Sequence, residues 1–288
     1  HFSLGNLEEG IACLQKALVL EPQSVDTRYN LALGLQKLER WQAAIKEYQQ
    51  LVAQQPHYVP ALVQLGIISQ QQQQYEQALS YNRQAVAIQP ENAQAWCNLA
   101  VTLQEVGDLT EAETAYQRAV TINPQYVTAC NGLGTLLEKQ GKASQAIAQY
   151  QQALSLKPDF LSALINLGNV RSRLKQWEEA RAAYRQVLSL DAHNSQALDG
   201  LLKVQLASCQ WGEIEALTTQ LWSIAQNQLG EVSPFYSLYL QISAQQQQIF
   251  AQHHAQVIVQ KMVARCRQLN FTFPQSKIKN QKSKIKLG

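Results

Sequence analysis

Apolar residues recur at steps of three and four in two successive stretches between residues 93 and 126, which is the pattern of amphipathic helices. In the first stretch the apolar positions are Trp96, Leu99, Ala100 and Leu103. In the second stretch they are Ala112, Tyr116, Ala119 and Val120. Gly107 lies between the two stretches, and Pro124 follows the second. Because glycine accepts a left-handed backbone and proline cannot continue helical hydrogen bonding, the pattern predicts two helices joined by a tight turn.

The same pair of helices is repeated along the chain with a period of 34 residues. Prolines follow this step at Pro22, Pro56, Pro90, Pro124 and Pro158. Alanines follow it at Ala44, Ala78, Ala112, Ala146 and Ala180. Leucines follow it at Leu31, Leu65, Leu99, Leu133, Leu167 and Leu201. A further position is aromatic or apolar, at Leu7, Trp41, Tyr75, Leu109, Ala143, Trp177 and Trp211. Positions that keep one spacing over so many copies indicate an internal repeat.

Small residues occupy the positions where two paired helices must cross closely. In the first helix these residues are Ala32, Gly66, Ala100, Gly134 and Gly168. In the second helix they are the alanines already named, and large residues such as Leu133 and Tyr150 fill the space on either side. One hairpin cannot bury both of its faces, so each must stack on the next. The sequence therefore predicts an all-α solenoid of helix-turn-helix units rather than a globule.

These repeat positions resemble the tetratricopeptide repeat (TPR). The best match is Trp96-Cys97-Asn98-Leu99-Ala100 followed by Ala112, Tyr116, Ala119 and Pro124. Five full copies, over residues 25–194, begin at Val25, Val59, Ala93, Val127 and Leu161. A second-helix fragment covers residues 1–24, and a degenerate copy covers residues 195–228. The resemblance implies a right-handed superhelical solenoid that binds protein or peptide ligands in its concave groove and has no catalytic activity.

Two copies depart from the repeat pattern. In the last copy, Leu202 and Ile214 replace small residues, and Thr218 stands where an aromatic residue belongs. That hairpin is therefore expected to open wider than the others. In the second full copy Asn82 interrupts the aromatic position, and Tyr81 beside it is expected to compensate.

The segment after the repeats resembles a second family over a shorter set of residues, namely Leu201-Leu202, Cys209-Gln210-Trp211 and Ser233-Pro234-Phe235. They are similar to the junction that precedes the catalytic half of bacterial O-GlcNAc-transferase/SPINDLY-family proteins. The resemblance implies a helical junction over residues 229–270. It also offers an alternative function, the substrate-recognition half of a nucleotide-sugar-dependent protein O-glycosyltransferase. The catalytic half has no counterpart in residues 271–288, a lysine-rich, low-complexity tail that is expected to be disordered.

One polar position in each repeat is the candidate binding site. At the sixth position of each copy, the first helix carries Asn30, Gln64, Asn98, Gly132, Asn166 and Gly200. This position is predicted to face the inner curve, where a carboxamide can both donate to and accept from a peptide unit. The resemblance to the O-GlcNAc-transferase family implies a ladder of asparagines here that holds an extended chain by its backbone. We define the asparagine ladder as Asn30, Gln64, Asn98, Asn131 and Asn166. Asn131 stands one step off, beside the interruption at Gly132. The alternative is a solvated polar face or a local helix contact.

Charge and cysteine content narrow the choice of partner and compartment. The formal net charge is +3, but five lysines lie within residues 277–286, and the rest of the chain is close to neutral. It has no basic stripe that would favour nucleic acid. No apolar run reaches the ~18 residues that a membrane-spanning helix needs. The five cysteines have no CxxC spacing, which favours unpaired thiols in a reducing compartment, and the predicted location is cytoplasmic.

The remaining motifs do not predict a catalytic, cofactor-binding or metal site. Gly132-Leu133-Gly134 lacks the third glycine of a dinucleotide-binding loop and is predicted to lie in mid-helix. His253 and His254 are adjacent, so on a helix they point about 100° apart and cannot share a metal ion. Repeat domains that clamp a C-terminal carboxylate place a lysine before the ladder position, and no lysine stands there. The prediction is a non-catalytic scaffold without cofactors.

The N-terminal end is expected to be incompletely capped. Residues 1–4 provide only the stump of a first helix, so Leu7, Ile11, Leu14 and Leu18 are predicted to lack part of their partner. We expect fraying there or self-association through this apolar face.

Overall fold

The computed structural model describes residues 4–210, 212–227 and five helical positions between 248 and 259. The elements with assigned bounds are α1 (Leu4–Leu20), α2 (Val25–Lys37), α3 (Trp41–Gln54), α4 (Val59–Gln71), α5 (Tyr75–Ile88), α6 (Ala93–Val106), α7 (Leu109–Ile122), α8 (Val127–Lys139), α9 (Ala143–Leu156), α10 (Leu161–Arg173), α11 (Trp177–Leu190), α12 (Ser195–Ala207) and α13 (Ile214–Asn227). The described residues contain no strand. The prediction of an all-α fold is confirmed.

The chain divides into two compact units, residues 1–214 and 215–288. The first unit contains α1 to α12, and almost all of α13 belongs to the second. The predicted junction over 229–270 and the predicted tail over 271–288 lie largely outside the described residues. The division of the C-terminal part into a degenerate repeat, a junction and a tail stays a prediction.

Within the first unit the helices pair as hairpins and the hairpins stack. The pairs are α2 with α3, α4 with α5, α6 with α7, α8 with α9 and α10 with α11. Each second helix also contacts the first helix of the next hairpin. The first helices α4, α6, α8, α10 and α12 contact one another in sequence, whereas the second helices among the described elements have no comparable contact. The first helices therefore lie on the inner side of the stack and the second helices on the outer side. The predicted solenoid is confirmed.

Each hairpin turn uses the same left-handed backbone residue. Positive φ angles occur at Glu39 (57°), Gln73 (61°), Gly107 (96°), Gly141 (78°), Lys175 (59°) and Cys209 (55°). Each stands 34 residues after the one before it, and the first five lie between the two paired helices of a hairpin. Only two of the six are glycine, although an L side chain in this conformation is strained. The turn geometry is therefore imposed by the packing of the two helices and not by local preference alone.

Replacing Gly107 with alanine should lower the free energy of unfolding by about 1 kcal/mol, since the left-handed conformation disfavours a Cβ atom. No other atom lies within 4 Å of a Cβ built at Gly107, so the backbone alone sets this cost. The reverse change, Lys175→Gly, should raise stability by a similar amount. Urea unfolding followed by circular dichroism measures both. Equal stability of Gly107→Ala and the parent chain would contradict the expectation.

Tyrosines of the second helices fill the space beside the small residues of the first helices. Tyr48, Tyr150 and Tyr184 are fully buried. A Cβ at Gly134 would lie 2.6 Å from the ring of Tyr150, and one at Gly168 would lie 2.7 Å from the ring of Tyr184. These approaches are closer than any real Cβ contact. The small residues are thus required because the tyrosine rings of their own hairpins occupy the crossing.

Asn82 takes the place of this tyrosine in the second full repeat. It is fully buried, its Nδ2 donates to Thr102 Oγ1 over 3.0 Å, and its Oδ1 has no hydrogen-bond partner among the described residues. A Cβ at Gly66 would lie 2.2 Å from that Oδ1, so Asn82 itself occupies the crossing. Tyr81 is half-buried and packs against the apolar cores on both sides. Tyr81 therefore adds apolar contact without entering the position of the missing ring.

Helix α1 packs on α2, and of the four apolar residues predicted to lack part of their partner one is buried and three are half-buried. Ile11 is buried at 4% exposure, and Leu14 and Leu18 pack against the core formed with α2, α3 and α4. Among the large apolar residues of α1 whose burial is described, Val19 and Leu20 at its C-terminal end are exposed. Self-association through α1 stays a prediction.

Candidate peptide-binding face

The inner side of the stack is made by the first helices, and every member of the asparagine ladder lies on one of them. Asn30 is on α2, Gln64 on α4, Asn98 on α6, Asn131 on α8 and Asn166 on α10. Asn30 is exposed, and the other four are half-buried. The repeat stacking thus places one carboxamide of the ladder on each of five successive first helices.

The ladder is interrupted at Gly132 and Gly200 because tyrosines of the preceding repeats lie there. A Cβ at Gly132 would be 2.5 Å from the ring of Tyr116, and a Cβ at Gly200 would be 2.3 Å from the ring of Tyr184. In these two repeats the sixth position therefore does not point freely away from the core. It lies against the second helix of the preceding hairpin, which the sequence pattern alone does not reveal.

Asn131 and Asn166 are brought together across two neighbouring repeats. Asn166 Nδ2 donates to Asn131 Oδ1 over 3.2 Å and approaches Thr135 Oγ1 at 3.5 Å. The donor atom of Asn166 is therefore already engaged within the protein. This hydrogen bond is a contact between helices, which the sequence analysis gave as the alternative to peptide binding at these positions.

Asn98 and Gln64 have different surroundings. Asn98 Nδ2 is buried and has no hydrogen-bond partner among the described residues. Gln64 bonds to Tyr29, where burial raises the pKa of the phenol and the Gln64 bond opposes that shift. Two nitrogen donors of the ladder are thus not free to bind a partner, because that of Asn98 is buried and that of Asn166 is hydrogen-bonded to Asn131. The side-chain oxygen atoms of Asn98 and Asn166 make no hydrogen bond among the described contacts.

Tyrosine hydroxyls of the second helices reach through the hairpins to polar residues of the inner helices. Tyr48 Oη donates to Gln36 Oε1 over 3.0 Å. Tyr184 Oη donates to Asn169 Oδ1 over 2.7 Å. These contacts fix the polar side chains beside the ladder, and the sequence analysis did not identify them. The sequence feature that could have revealed them is a polar residue 12 positions before Tyr48 and 15 positions before Tyr184.

A larger polar network of this kind joins the fourth and fifth full repeats. Tyr150 Oη donates to Glu138 Oε2 over 2.7 Å, and Arg173 pairs with the other carboxylate oxygen of Glu138. Tyr150 Oη also lies 3.4 Å from Thr135 Oγ1, which in turn approaches Asn166. The inner face at this joint is therefore polar and held in place by hydrogen bonds.

The described part of the chain offers little reactive chemistry beside this face. None of its His, Cys, Asp and Glu residues form a group of three or more that could hold a metal ion. Burial raises the pKa of the Cys97 thiol to about 12, so at neutral pH it is protonated and a weak nucleophile. Gly132-Leu133-Gly134 lies inside α8, as expected for a packing motif. His253 and His254 lie outside the described residues.

The fold and the repeat spacing define a solenoid of stacked helical hairpins. Profiles of the tetratricopeptide repeat match residues 1–59, 29–91 and 131–197, and a further one matches residues 91–159. Together they cover the chain continuously from residue 1 to residue 197. The chain belongs to the tetratricopeptide repeat family. No curated protein matches it at a significant level.

Several solved structures are similar to the chain. PilF of Pseudomonas aeruginosa matches with a TM-score of 0.63 and 18% identity, over 72% of this chain and 92% of that one. The Cut9–Hcn1 hetero-tetramer of the APC/C matches with a TM-score of 0.65 and 17% identity, over 86% of this chain and 46% of that one. YrrB, a TPR protein with an unusual peptide-binding site, matches with a TM-score of 0.51 and 19% identity, over 65% of this chain and 96% of that one. At these sequence identities the similarity shows a shared fold alone.

The resemblance to the O-GlcNAc-transferase/SPINDLY family stays a prediction. Of the residues that carry it, Trp211 and residues 233–235 lie outside the described part of the chain. The described helices also include none that is long and apolar enough to span a membrane.

Proposed function

We propose that this chain is a non-catalytic scaffold that binds extended polypeptides along the inner face of its first helices. The observation that carries the proposal is the asparagine ladder, because it supplies one carboxamide from each of five successive inner helices. Because these side chains recur once in each hairpin, they suit a ligand that runs along the stack. The neighbouring YrrB structure, described as a TPR protein with a peptide-binding site, adds support.

The contacts within the ladder favour recognition of the partner's backbone N–H groups. The amide nitrogen of Asn98 is buried and that of Asn166 donates to Asn131, so the carboxamide oxygens are what the two residues can offer. An oxygen acceptor needs a donor from the partner, and every non-proline peptide unit supplies one. Binding of this kind depends little on the partner's side chains.

The buried thiols of Cys97 and Cys130 support the further proposal of a reducing, cytoplasmic location. Both cysteines are unpaired and buried in the apolar core. Disulfides are rare in reducing compartments, where such thiols persist.

Selection of 16-residue peptides from a random phage-displayed library on the full chain tests the proposed function. The dissociation constants of the selected peptides are then measured for the variant Asn30→Ala/Asn98→Ala. Each lost hydrogen bond is worth about 1 kcal/mol, so the two together should weaken binding roughly thirtyfold. Asn30 is exposed and the Asn98 amide nitrogen makes no hydrogen bond, so the unfolding transition should stay where it is.

The matched control removes two exposed carboxamides from second helices, in the variant Gln49→Ala/Gln151→Ala. This control should bind the peptides like the parent chain. Equal binding by the inner-face variant and the parent chain would overturn the proposal. A lowered unfolding midpoint of the inner-face variant would show that the ladder is structural.

A further inference from the structure

Two tyrosines meet beside the first members of the asparagine ladder. The rings of Tyr29, on α2, and Tyr58, immediately before α4, contact each other edge to face with 5.6 Å between their centroids. Both residues are half-buried, so they remain partly accessible. Tyr29 is hydrogen-bonded to Gln64 and directly precedes Asn30 in the chain. The tyrosine pair therefore adjoins the first two members of the ladder.

The hydrogen bond between Tyr29 and Gln64 has an equivalent further along the stack. Three repeats beyond these two residues stand Asn131 and Asn166, which are hydrogen-bonded to each other across the same kind of joint. The fifth position of one repeat thus lies beside the ladder position of the next. At this fifth position the other repeats carry Val63, Cys97, Asn131, Ile165 and Asp199. None of these residues is aromatic, so the stacking of hairpins does not require a tyrosine there.

A carboxylate without an ion-pair partner lies near the tyrosine pair. Asp26 is exposed in the first turn of α2. Burial, the neighbouring Tyr29 and the carboxylate of Asp26 raise the pKa of the Tyr58 phenol, so this carboxylate lies within electrostatic reach of the ring. None of the ion pairs in the described part of the chain includes Asp26, and Arg28, two positions further on, pairs instead with Glu47 over 2.7 Å.

Among the first helices this acidic residue is particular to α2. The first turns of α4, α6, α8, α10 and α12 contain no acidic residue. At the position of Asp26 the other repeats carry Pro60, Gln94, Thr128, Ser162 and Gln196. A carboxylate in the first turn would stabilise any of these helices through the helix dipole. Helix stability therefore does not explain why α2 alone among them has one.

An unpaired carboxylate beside aromatic rings suits a basic side chain. A cation within about 6 Å of the centre of a tyrosine ring is attracted by the negative face of the ring. The planar guanidinium of arginine can stack on a ring and also donate to a carboxylate, whereas the lysine ammonium is a compact charge. An acidic side chain at the same place would be repelled by Asp26.

We propose that Tyr29, Tyr58 and Asp26 form a binding site for a basic side chain, preferably arginine, of the polypeptide that runs along the inner face. The cationic group packs on the tyrosine pair, and its N–H groups donate to the carboxylate of Asp26. This inference rests on the proposed function, because the asparagine ladder holds the segment that carries the basic side chain. The ladder depends little on the partner's side chains, so this site supplies selectivity that the ladder lacks.

The test uses the peptides that are selected on the full chain, which should share an arginine or lysine at one position. A synthetic copy with citrulline in place of that arginine, or acetyl-lysine in place of lysine, keeps the shape and loses the charge. It should bind the parent chain about tenfold more weakly in isothermal titration calorimetry. Asp26→Asn should bind the unmodified peptide about threefold more weakly. Loss of the peptide's charge should then cost only about threefold in Asp26→Asn, because the contribution of the carboxylate is already absent.

Glu76→Gln is the matched control, since it removes an exposed carboxylate from the first turn of another helix, α5, and changes the net charge equally. It should bind the unmodified peptide like the parent chain. This inference would be overturned by peptides without a shared basic residue, by equal binding of the charged and uncharged peptides, or by equal losses in Asp26→Asn and Glu76→Gln. The proposed function would survive those results if Asn30→Ala/Asn98→Ala still weakened binding. Normal binding by that ladder variant, or failure to enrich any peptide, would overturn the proposed function and this inference with it.

Discussion

Replacing Tyr184 with alanine is expected to lower the free energy of unfolding by about 3–5 kcal/mol, the usual cost of removing a buried aromatic side chain. Tyr184 is 1% exposed. Its ring lies against Gly168 of its own hairpin and against Gly200 of the next repeat. The substitution therefore removes contacts within one hairpin and contacts between two.

Urea unfolding followed by circular dichroism measures the total loss for Tyr184→Ala, and hydrogen exchange locates it. Protection should fall most in α10, α11 and α12, because contacts in a solenoid are made between neighbouring repeats. Tyr184→Phe is the matched control, since it keeps the ring and removes the hydroxyl, whose hydrogen bond to Asn169 is worth about 1 kcal/mol. A loss for alanine no larger than the loss for phenylalanine would contradict this description of the packing.

Completing the asparagine ladder at Gly132 is expected to destabilise the protein. Gly132→Asn places a Cβ 2.5 Å from the ring of Tyr116, so the ring or the helix must move. Such overpacking costs about 1–3 kcal/mol. From the ladder pattern alone, Gly132→Asn would be expected to improve the binding face without destabilising the protein. The sign of the measured change in stability therefore distinguishes these two expectations.

Gly10→Asn provides the control for Gly132→Asn. Gly10 also lies inside a helix, α1, and no other atom lies within 4 Å of a Cβ built there. Asparagine has a higher helix propensity than glycine, so Gly10→Asn should leave stability unchanged or raise it slightly. Thermal unfolding of the two variants gives the comparison. Equal midpoints for them would contradict the close approach of Tyr116 to α8.

The helices and hairpins could be predicted from the sequence because local signals repeat. Apolar residues at helical spacing recur every 34 residues, and so do the prolines after the second helices. The left-handed turn residue was less visible. Gly107 and Gly141 indicate it, but Glu39 and Lys175 adopt the same conformation without the residue type that favours it. Their conformation follows from helix packing, which cannot be predicted from the residue type at one position.

The candidate site could be predicted only in part. The helix that carries each ladder residue follows from the period, but its contacts depend on distances between repeats. The bond between Asn131 and Asn166 and the ring of Tyr116 against Gly132 both join residues of different hairpins. The replacement of tyrosine by Asn82 was visible in the sequence. Its partner Thr102, on the next repeat, was not, because no local pattern links the two.

The central claim, that the inner face binds a partner's backbone, is tested most directly by N-methylation of a selected 16-residue peptide. Each backbone nitrogen is methylated in turn, and binding to the full chain is measured by isothermal titration calorimetry. Because the carboxamide oxygens of the ladder accept from peptide N–H groups, methylation at a few spaced positions should weaken binding about fivefold to tenfold each. Alanine at the same positions should have little effect. Strong losses on side-chain replacement, with none on N-methylation, would contradict backbone recognition by the ladder.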